Sequence, residues 1–405
     1  MTTSRTARQS AFFLIAALFC WGCGEPESSA PETSVPEVRY VGVNELTGGA
    51  NAVIASGAAL AHTAQFFPIG GDDAGEQANE VLDSIDKALE AVGSSLQQVV
   101  KLNVYVSGSD VVEPIKAVIV ERFGEGARPA ICLAESALMN TSALVAMDAV
   151  ATASEDPGAG VVALRNSAAM AGKEGAHHVG VLPTGTRIYV AGRAARKGTV
   201  AEATDATMLE IKDTLAFLGL GIEHIVHVKS FMKPISEMSD AEDQLIKFFD
   251  GKAPPMAFIE WTNNNPIEIE VIATSPDELQ SIPIEYLSPP GERVSPVYSR
   301  IAKVYHPATI YISGLWGSEG ADGVEQIHEI FASMKEILSE TGTDLDHLAK
   351  ATYYPANDDL SRQLNEIRPE YYDPQRPPSA SKALVVGTGF AGRSITLDMI
   401  AVPSR

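Results

Sequence analysis

Cysteine is nearly absent from this chain of 405 residues, with only Cys20, Cys23 and Cys132 present. Loss of a leader ending at residue 22 and acylation of Cys23 would leave Cys132 alone, so no disulfide framework could hold the mature chain together and packing must do so. Basic residues are also scarce: 30 lysines and arginines face 52 acidic residues, a formal charge of −22. Without Arg5 and Arg8 the balance is 28 against 52, or −24. No basic run with interleaved aromatics occurs, so a surface field that attracts nucleic acid or anionic lipid is disfavoured. Long apolar runs are missing as well. The longest, Ala11 to Trp21, is too short to span a bilayer.

That run nonetheless follows Arg5 and Arg8, ends at Gly22-Cys23 and gives way abruptly to polar residues. This is the pattern of an exported protein with a lipoprotein-type signal, residues 1–22, and Cys23 as the lipidation site. Residues 23–37, rich in Pro, Glu and Ser, read as a solvated tether. The expected location is an exported, membrane-anchored lipoprotein, periplasm-facing or at the cell surface, touching the membrane only through its lipid.

With 45% hydrophobic residues the remainder can bury a large core. Self-comparison shows how that core is divided. Ala88 to Val106 (ALEAVGSSLQQVVKLNVYV), Thr214 to Met232 (TLAFLGLGIEHIVHVKSFM) and Ile337 to Pro355 (ILSETGTDLDHLAKATYYP) align without a gap. Each leaves a helix at a glycine, Gly93, Gly219 or Gly342, where the chain can turn left-handed. Each then enters a β-rich run. A second block follows in each copy: Val145 to Ala151 (VAMDAVA), Ile267 to Ala273 (IEIEVIA) and Ile395 to Ala401 (ITLDMIA), whose alternation marks half-buried strands. Helical periodicity predicts long helices over 76–91, 201–217 and 324–339, and shorter ones over 113–123, 240–249 and 360–371. The fold class is therefore α+β, three tandem domains at 38–153, 160–275 and 284–403, each a mixed sheet with two helices on one face.

The ordered blocks resemble the RidA (YjgF) superfamily, of chorismate-mutase-like fold. The resemblance rests on Val297-Tyr298-Ser299-Arg300, Ser313-Gly314 and Asn365-Glu366-Ile367 in the third repeat. The first repeat contributes VVKLNVYV and Arg128-Pro129-Ala130, and the second IYVAG at 188–192 and IEIEVIA. It implies a trimer with ligand clefts between neighbours, here closed within one chain as a monomeric pseudo-trimer. It also implies imine or enamine deamination of small metabolites, with an arginine gripping the substrate carboxylate and a glutamate handling water. The arginine positions read Ile131, Met256 and Ser381, and the glutamate positions Ala146, Glu268 and Thr396.

The candidate catalytic residue is Glu268. The candidate binding residues are Tyr298, Ser313 and Asn365, with Arg393 taken as a replacement cation ahead of Arg376 and Lys382. Each has a plainer reading: Glu268 alternates with apolar neighbours as any solvent-facing strand residue does, Tyr298 suits a packed turn, and Asn365 suits a helix brace. Two functions stay open, an imine or enamine hydrolase and a non-catalytic pseudo-trimer that binds a small molecule or a protein. A ribonuclease is third, opposed by the acidic charge and the lack of a histidine pair. No cofactor is expected. No metal is expected either, because His177-His178 lack partners at ligand spacing. Cys132, between Ile131 and Leu133, reads as a small buried hydrophobe. Gly387 to Gly392 (GTGFAG), after a strand expected at 383–386, matches a dinucleotide fingerprint but runs into a strand where a helix would have to begin.

Overall fold

The computed structural model describes residues 37–124, 128–292 and 295–404. The predicted signal and Cys23 lie outside the described residues. Among the described residues no helix is long and apolar enough to cross a membrane.

In chain order the first repeat contains β1 (Glu37–Val41), β2 (Ala52–Ser56), β3 (Ala59–Thr63), α1 (Ala74–Glu90), β4 (Val99–Val106), α2 (Val112–Phe123), β5 (Ala130–Glu135) and β6 (Val145–Ala153). The second contains β7 (Ala163–Arg165), β8 (Val179–Leu182), β9 (Thr186–Arg193), α3 (Val200–Phe217), β10 (Ile225–Met232), α4 (Met238–Phe248), β11 (Met256–Glu260) and β12 (Ile267–Ser275). The third contains β13 (Ile284–Leu287), β14 (Ile301–Val304), β15 (Ala308–Ile312), α5 (Gly323–Glu340), β16 (Leu348–Pro355), α6 (Asp358–Ile367), β17 (Ser379–Lys382) and β18 (Ile395–Ala401).

The helices start where side chains can satisfy the free backbone N–H groups of a first turn. Asp73 and Asp322 each accept from the third residue of their helix, and Thr199 with Glu202 forms a reciprocal capping box. The long helices end before Gly93, Gly219 and Gly342, all at positive φ, as the repeat alignment requires. One expectation fails locally: β17 stops at Lys382, not at residue 386. Ala383 and Val385 still donate to Tyr353 and Pro355, so the backbone follows β16 without forming a regular ladder.

Three six-stranded mixed sheets result, in the orders β5-β4-β6-β3-β8-β7, β11-β10-β12-β9-β14-β13 and β17-β16-β18-β15-β2-β1. Four strands of each sheet come from one repeat and the last two from another. The β7-β8 pair completes the first sheet, β13-β14 the second, and β1-β2 returns to complete the third. Each hairpin thus covers a strand edge that would otherwise remain unpaired, and the third exchange closes the ring.

The two helices of each repeat cover one sheet face. α1 and α2 bury Leu82, Ile85 and Ile115 over the first sheet, and α5 and α6 bury Phe331 and Leu364 over the third. Each such apolar side chain contributes about 1.5–3 kcal/mol. The opposite sheet faces meet one another through equivalent residues such as Val100, Val226 and Ala349. Tyr105, Phe231 and Tyr354 hold the same position in β4, β10 and β16. The Lys229 Nζ lies 5.8, 5.9 and 5.8 Å from their ring centres, marking the pseudo-threefold axis.

Candidate functional site

Strand register identifies the three equivalent clefts. Leu102, Val228 and Ala351 are aligned, and they pair with Ile131, Met256 and Ala380. The missing arginine therefore corresponds to Ala380, one residue before the Ser381 expected from sequence. Lys382 lies two residues further along β17, on the same face of the strand. Its equivalents are Leu133 and Phe258.

One cleft, between the second and third repeats, has a volume of about 360 Å³ and brings together Glu268, Tyr298, Arg300, Asn365, Arg368 and Lys382. Glu268 comes from β12, and Lys382 from β17. Asn365 and Arg368 come from the end of α6 and the turn after it, Tyr298 and Arg300 from the loop before β14. Tyr298 is placed by the next residue, whose N–H donates to the Pro378 carbonyl at 3.0 Å, and by the Arg300 guanidinium 5.6 Å from its ring centre.

Gly192, at the end of β9, forms the floor. Its N–H donates to the Ser381 hydroxyl at 3.0 Å, and its carbonyl accepts from Arg300 at 2.9 Å. A Cβ at this position would fall 2.1 Å from the Glu268 Oε1, so the carboxylate lies directly on bare backbone.

Arg300 also pairs with Glu292 at 2.9 Å. Arg368 donates to Asn365 Oδ1 and stacks 4.7 Å from the Tyr353 ring centre. The Lys382 ammonium donates to the Ser361 carbonyl at 3.1 Å and to Asn365 Oδ1 at 3.2 Å. Neither Glu268 nor Lys382 has an ion-pair partner within 4.0 Å among the described residues.

The electrostatics follow from this arrangement. Burial, reinforced by nearby Glu270, pushes the Glu268 carboxyl up to about 7 against the pull of Lys350, Arg300 and Lys382. Burial and the neighbouring Arg368 push the Lys382 ammonium down to about 8, against Glu268 and Asp358. An acid and a base that both exchange protons near neutrality therefore share one open cleft.

The other two clefts lack the pair. Between the first and second repeats the equivalents of Glu268 and Lys382 are Ala146 and Phe258, and Gln65 replaces Gly192, accepting from the Phe258 N–H at 3.0 Å. Between the third and first repeats they are Thr396 and Leu133. Trp316 occupies the space there, in contact range of Gly314 and stacked edge-on to Phe390 at 4.9 Å.

Of the residues expected from sequence, Glu268, Tyr298 and Asn365 converge in a single cleft. Ser313 does not join them. Its buried hydroxyl accepts from the Ile131 N–H at 2.7 Å and donates to the Ala50 carbonyl at 2.6 Å, stitching the third repeat to the first. Arg393 is also elsewhere, bonded to the Gly317 carbonyl beside Trp316 and Glu329, so Lys382 is the cation next to the vacated position. Arg376 instead donates to the Asp346 carbonyl. Sequence reasoning missed Gly192, Arg300 and Arg368. Arg300 lay within the quoted Val297-Tyr298-Ser299-Arg300 turn and could have been found there. Cys132 is buried, and burial pushes its thiol up to about 12, which suits an inert core residue.

A smaller cavity of about 50 Å³ sits on the axis, between three lysines (Lys101, Lys229, Lys350) and three acids (Asp148, Glu270, Asp398). Burial raises Asp398, but Lys101 at 2.8 Å and Lys229 at 3.6 Å outweigh it and hold the carboxyl at about 2. Lys350 pairs with Glu270 at 2.5 Å. These charges compensate one another and tie the three repeats together. No group of three or more potential metal ligands occurs among the described residues.

A family model described as Endoribonuclease L-PSP matches residues 31–153 and 170–275. Solved structures similar to parts of the chain include a YjgF-family protein of Neisseria meningitidis (17% identity, TM-score 0.23, 31% of this chain and 99% of that one). Others are a Rid-family protein of unknown function from Yersinia pestis (20%, 0.26, 28% and 98%) and a YjgF/YER057c/UK114-family protein of Mycobacterium tuberculosis (16%, 0.22, 29% and 98%). No curated protein matches the chain.

Proposed function

Because this chain belongs to the Endoribonuclease L-PSP family, the RidA/YjgF group, we propose that it hydrolyses the C=N bond of small anionic imines or enamines in the cleft between its second and third repeats. The observation carrying this reading is the convergence of Glu268 with Arg300, Arg368 and Lys382 in that cleft alone. The arginines supply a field for a carboxylate. Glu268, as carboxylate, takes a proton from water adding to the imine carbon, and as the neutral acid returns one to the departing nitrogen.

The substrate need not bind as in relatives that keep the P-A-R arginine, since the nearest cation here sits two residues further on. That displacement favours a second reading, a binding site without catalysis. The acidic charge weighs against the nuclease activity in the family's description.

The test offers the full chain imines generated from several amino acids by an amino-acid oxidase and times ammonia and keto-acid release. Acceleration that falls at least about tenfold in Glu268→Gln supports hydrolysis. No acceleration for any substrate leaves the binding reading. Export and lipidation at Cys23 belong to the same proposal. Lipid labelling that survives Cys23→Ser would remove that part.

A further inference from the structure

We propose that Lys382 is a nucleophile that forms a Schiff base with the substrate carbon, so that hydrolysis in this cleft proceeds through a covalent lysine imine. The inference rests on the reading of the cleft as an imine-hydrolysing site and specifies its route and substrate class, 2-imino and 2-keto acids.

The geometry distinguishes Lys382 from a lysine kept for charge. Among the described residues it forms no ion pair within 4.0 Å, whereas Lys101 and Lys350 each hold a carboxylate at 2.8 Å or less. Its nitrogen is fixed from one side by two neutral acceptors, the Ser361 carbonyl and Asn365 Oδ1. Those bonds orient the side chain without neutralising it. Arg368, which shares the Asn365 oxygen, and Arg300 line the same cleft and are permanently charged. The Arg368 charge disfavours a second cation beside it and offers a carboxylate ligand a guanidinium to meet, while Arg300 is already paired with Glu292. With its ammonium lowered to about 8, roughly a tenth of Lys382 is free amine at neutral pH. Glu268, raised to about 7, can move the protons.

The chemistry balances without an added reagent. The Lys382 lone pair attacks the imine carbon, the π electrons of the C=N bond pass to the substrate nitrogen, and Glu268 relays the proton lost by lysine to that nitrogen. Glu268 then moves the remaining Lys382 N–H proton to the substrate nitrogen, and the aminal expels ammonia as the Lys382 nitrogen re-forms a double bond to carbon. Water then adds to this carbon with Glu268 taking a proton. Glu268 passes that proton to the Lys382 nitrogen, and as the carbinolamine collapses to the keto acid its hydroxyl proton goes the same way, so that Lys382 leaves as the amine. The net change is imine plus water to ketone plus ammonia.

The same reaction run in reverse from the keto acid provides the assay. The full chain is incubated with pyruvate and cyanoborohydride, digested, and its lysine peptides are quantified by mass spectrometry. The expected result is a reduced adduct on Lys382 exceeding that on any other lysine by at least about tenfold, rising as pH passes 8 and absent in Lys382→Arg. Adducts spread evenly over surface lysines would overturn the proposal. So would a Lys382→Arg chain, with unchanged melting, that keeps imine hydrolysis within about threefold of the parent. Imine hydrolysis by the parent chain with no Lys382 adduct rejects the covalent route and leaves the cleft assignment standing. An adduct without imine hydrolysis establishes the Schiff-base site and rejects the hydrolase reading. Trapping on the unmodified chain needs no variant to fold.

Discussion

Substituting Gly192 by alanine tests the site with one methyl group. The new Cβ would lie 2.1 Å from Glu268 Oε1, 2.5 Å from Cδ and 2.8 Å from Cγ, where ordinary contact begins near 3.4 Å. The carboxylate must retreat by about 1.3 Å to restore contact distance. Gly192 does not occupy the positive-φ region, so the backbone accepts alanine without strain. The obstructing atoms are the end of a side chain that reaches the cleft, so Glu268 can swing aside. Crowding of about 1–3 kcal/mol, partly offset by about 0.4–1 kcal/mol from a stiffer unfolded chain, leaves a stability loss of about 2.6 kcal/mol or less. A displacement of that size at a proton-transfer group costs about 100-fold in rate. The assay pairs kcat/KM for imine hydrolysis with thermal melting. Gly314→Ala is the control: its Cβ meets Trp316 at 2.6 Å in a closed cleft, so it should lower the melting temperature and leave the rate within about threefold. If Gly192→Ala retains more than about a third of parental kcat/KM, Glu268 is not the group that handles water.

Further outcomes follow from the same geometry. The Glu268 carboxyl is raised in the fold from 4.5 to about 7, so below pH 4.5 both states hold its proton. Between pH 4.5 and 7 only the folded state holds it, and stability falls as pH rises. Glu268→Gln should therefore melt above the parent at pH 8, by on the order of 1–2 kcal/mol after allowance for solvent at the cleft mouth, with the difference vanishing near pH 4. Equal melting curves at pH 8 would contradict the raised carboxyl. Lys101→Met removes the closest cation to Asp398 and should cost about 3–5 kcal/mol in urea unfolding, with partial recovery on adding Asp398→Leu. A loss under about 1 kcal/mol would mean that the axial charges do not act as a unit. Light scattering should give a solution mass near that of one 42.9 kDa chain, since the β1-β2 hairpin already closes the ring. A mass near three chains would show that closure occurs between molecules.

Much of the fold was legible because its signals are local. The glycines that end the long helices and the alternation of VAMDAVA, IEIEVIA and ITLDMIA depend only on residues a few positions apart. The exchange of hairpins was not legible, because a strand such as Ala52–Ser56 carries no mark saying that its partner is about 250 residues away in β15. For the site, family position pointed to Glu268, Tyr298 and Asn365, and the structure brings these together. Arg393 is near the lost arginine in sequence, but a turn carries it to another face. Lys382 was within view, and only the pairing of Ala351 with Ala380 shows that it shares the vacated residue's face. Family position also points to Ser313 as a cleft contact. Its hydroxyl is instead consumed by backbone groups of another repeat.

The pattern of loss also bears on why three copies share one chain. In a trimer of identical subunits every cleft contains the same residues, so a substitution that fills one fills all three. Here Trp316 fills one interface, a second keeps a cavity of about 210 Å³ lined by Gln65, Met256 and Phe258 but has lost the charged pair, and Gly192 keeps the third open under Glu268. The charged pair at that third interface is drawn from two repeats, Glu268 from one and Lys382 from the next, and neither repeat carries both halves of it. A copy excised and trimerised alone would pair Glu268 with Phe258, or Lys382 with Thr396. The working cleft therefore depends on covalent order as well as on fold. Exchanging the second and third repeats in the gene, with hairpins and sheets preserved, should yield a folded ring without imine hydrolysis. A rearranged chain that keeps the parental rate would show that the cleft between Glu268 and Lys382 is not where the chemistry occurs.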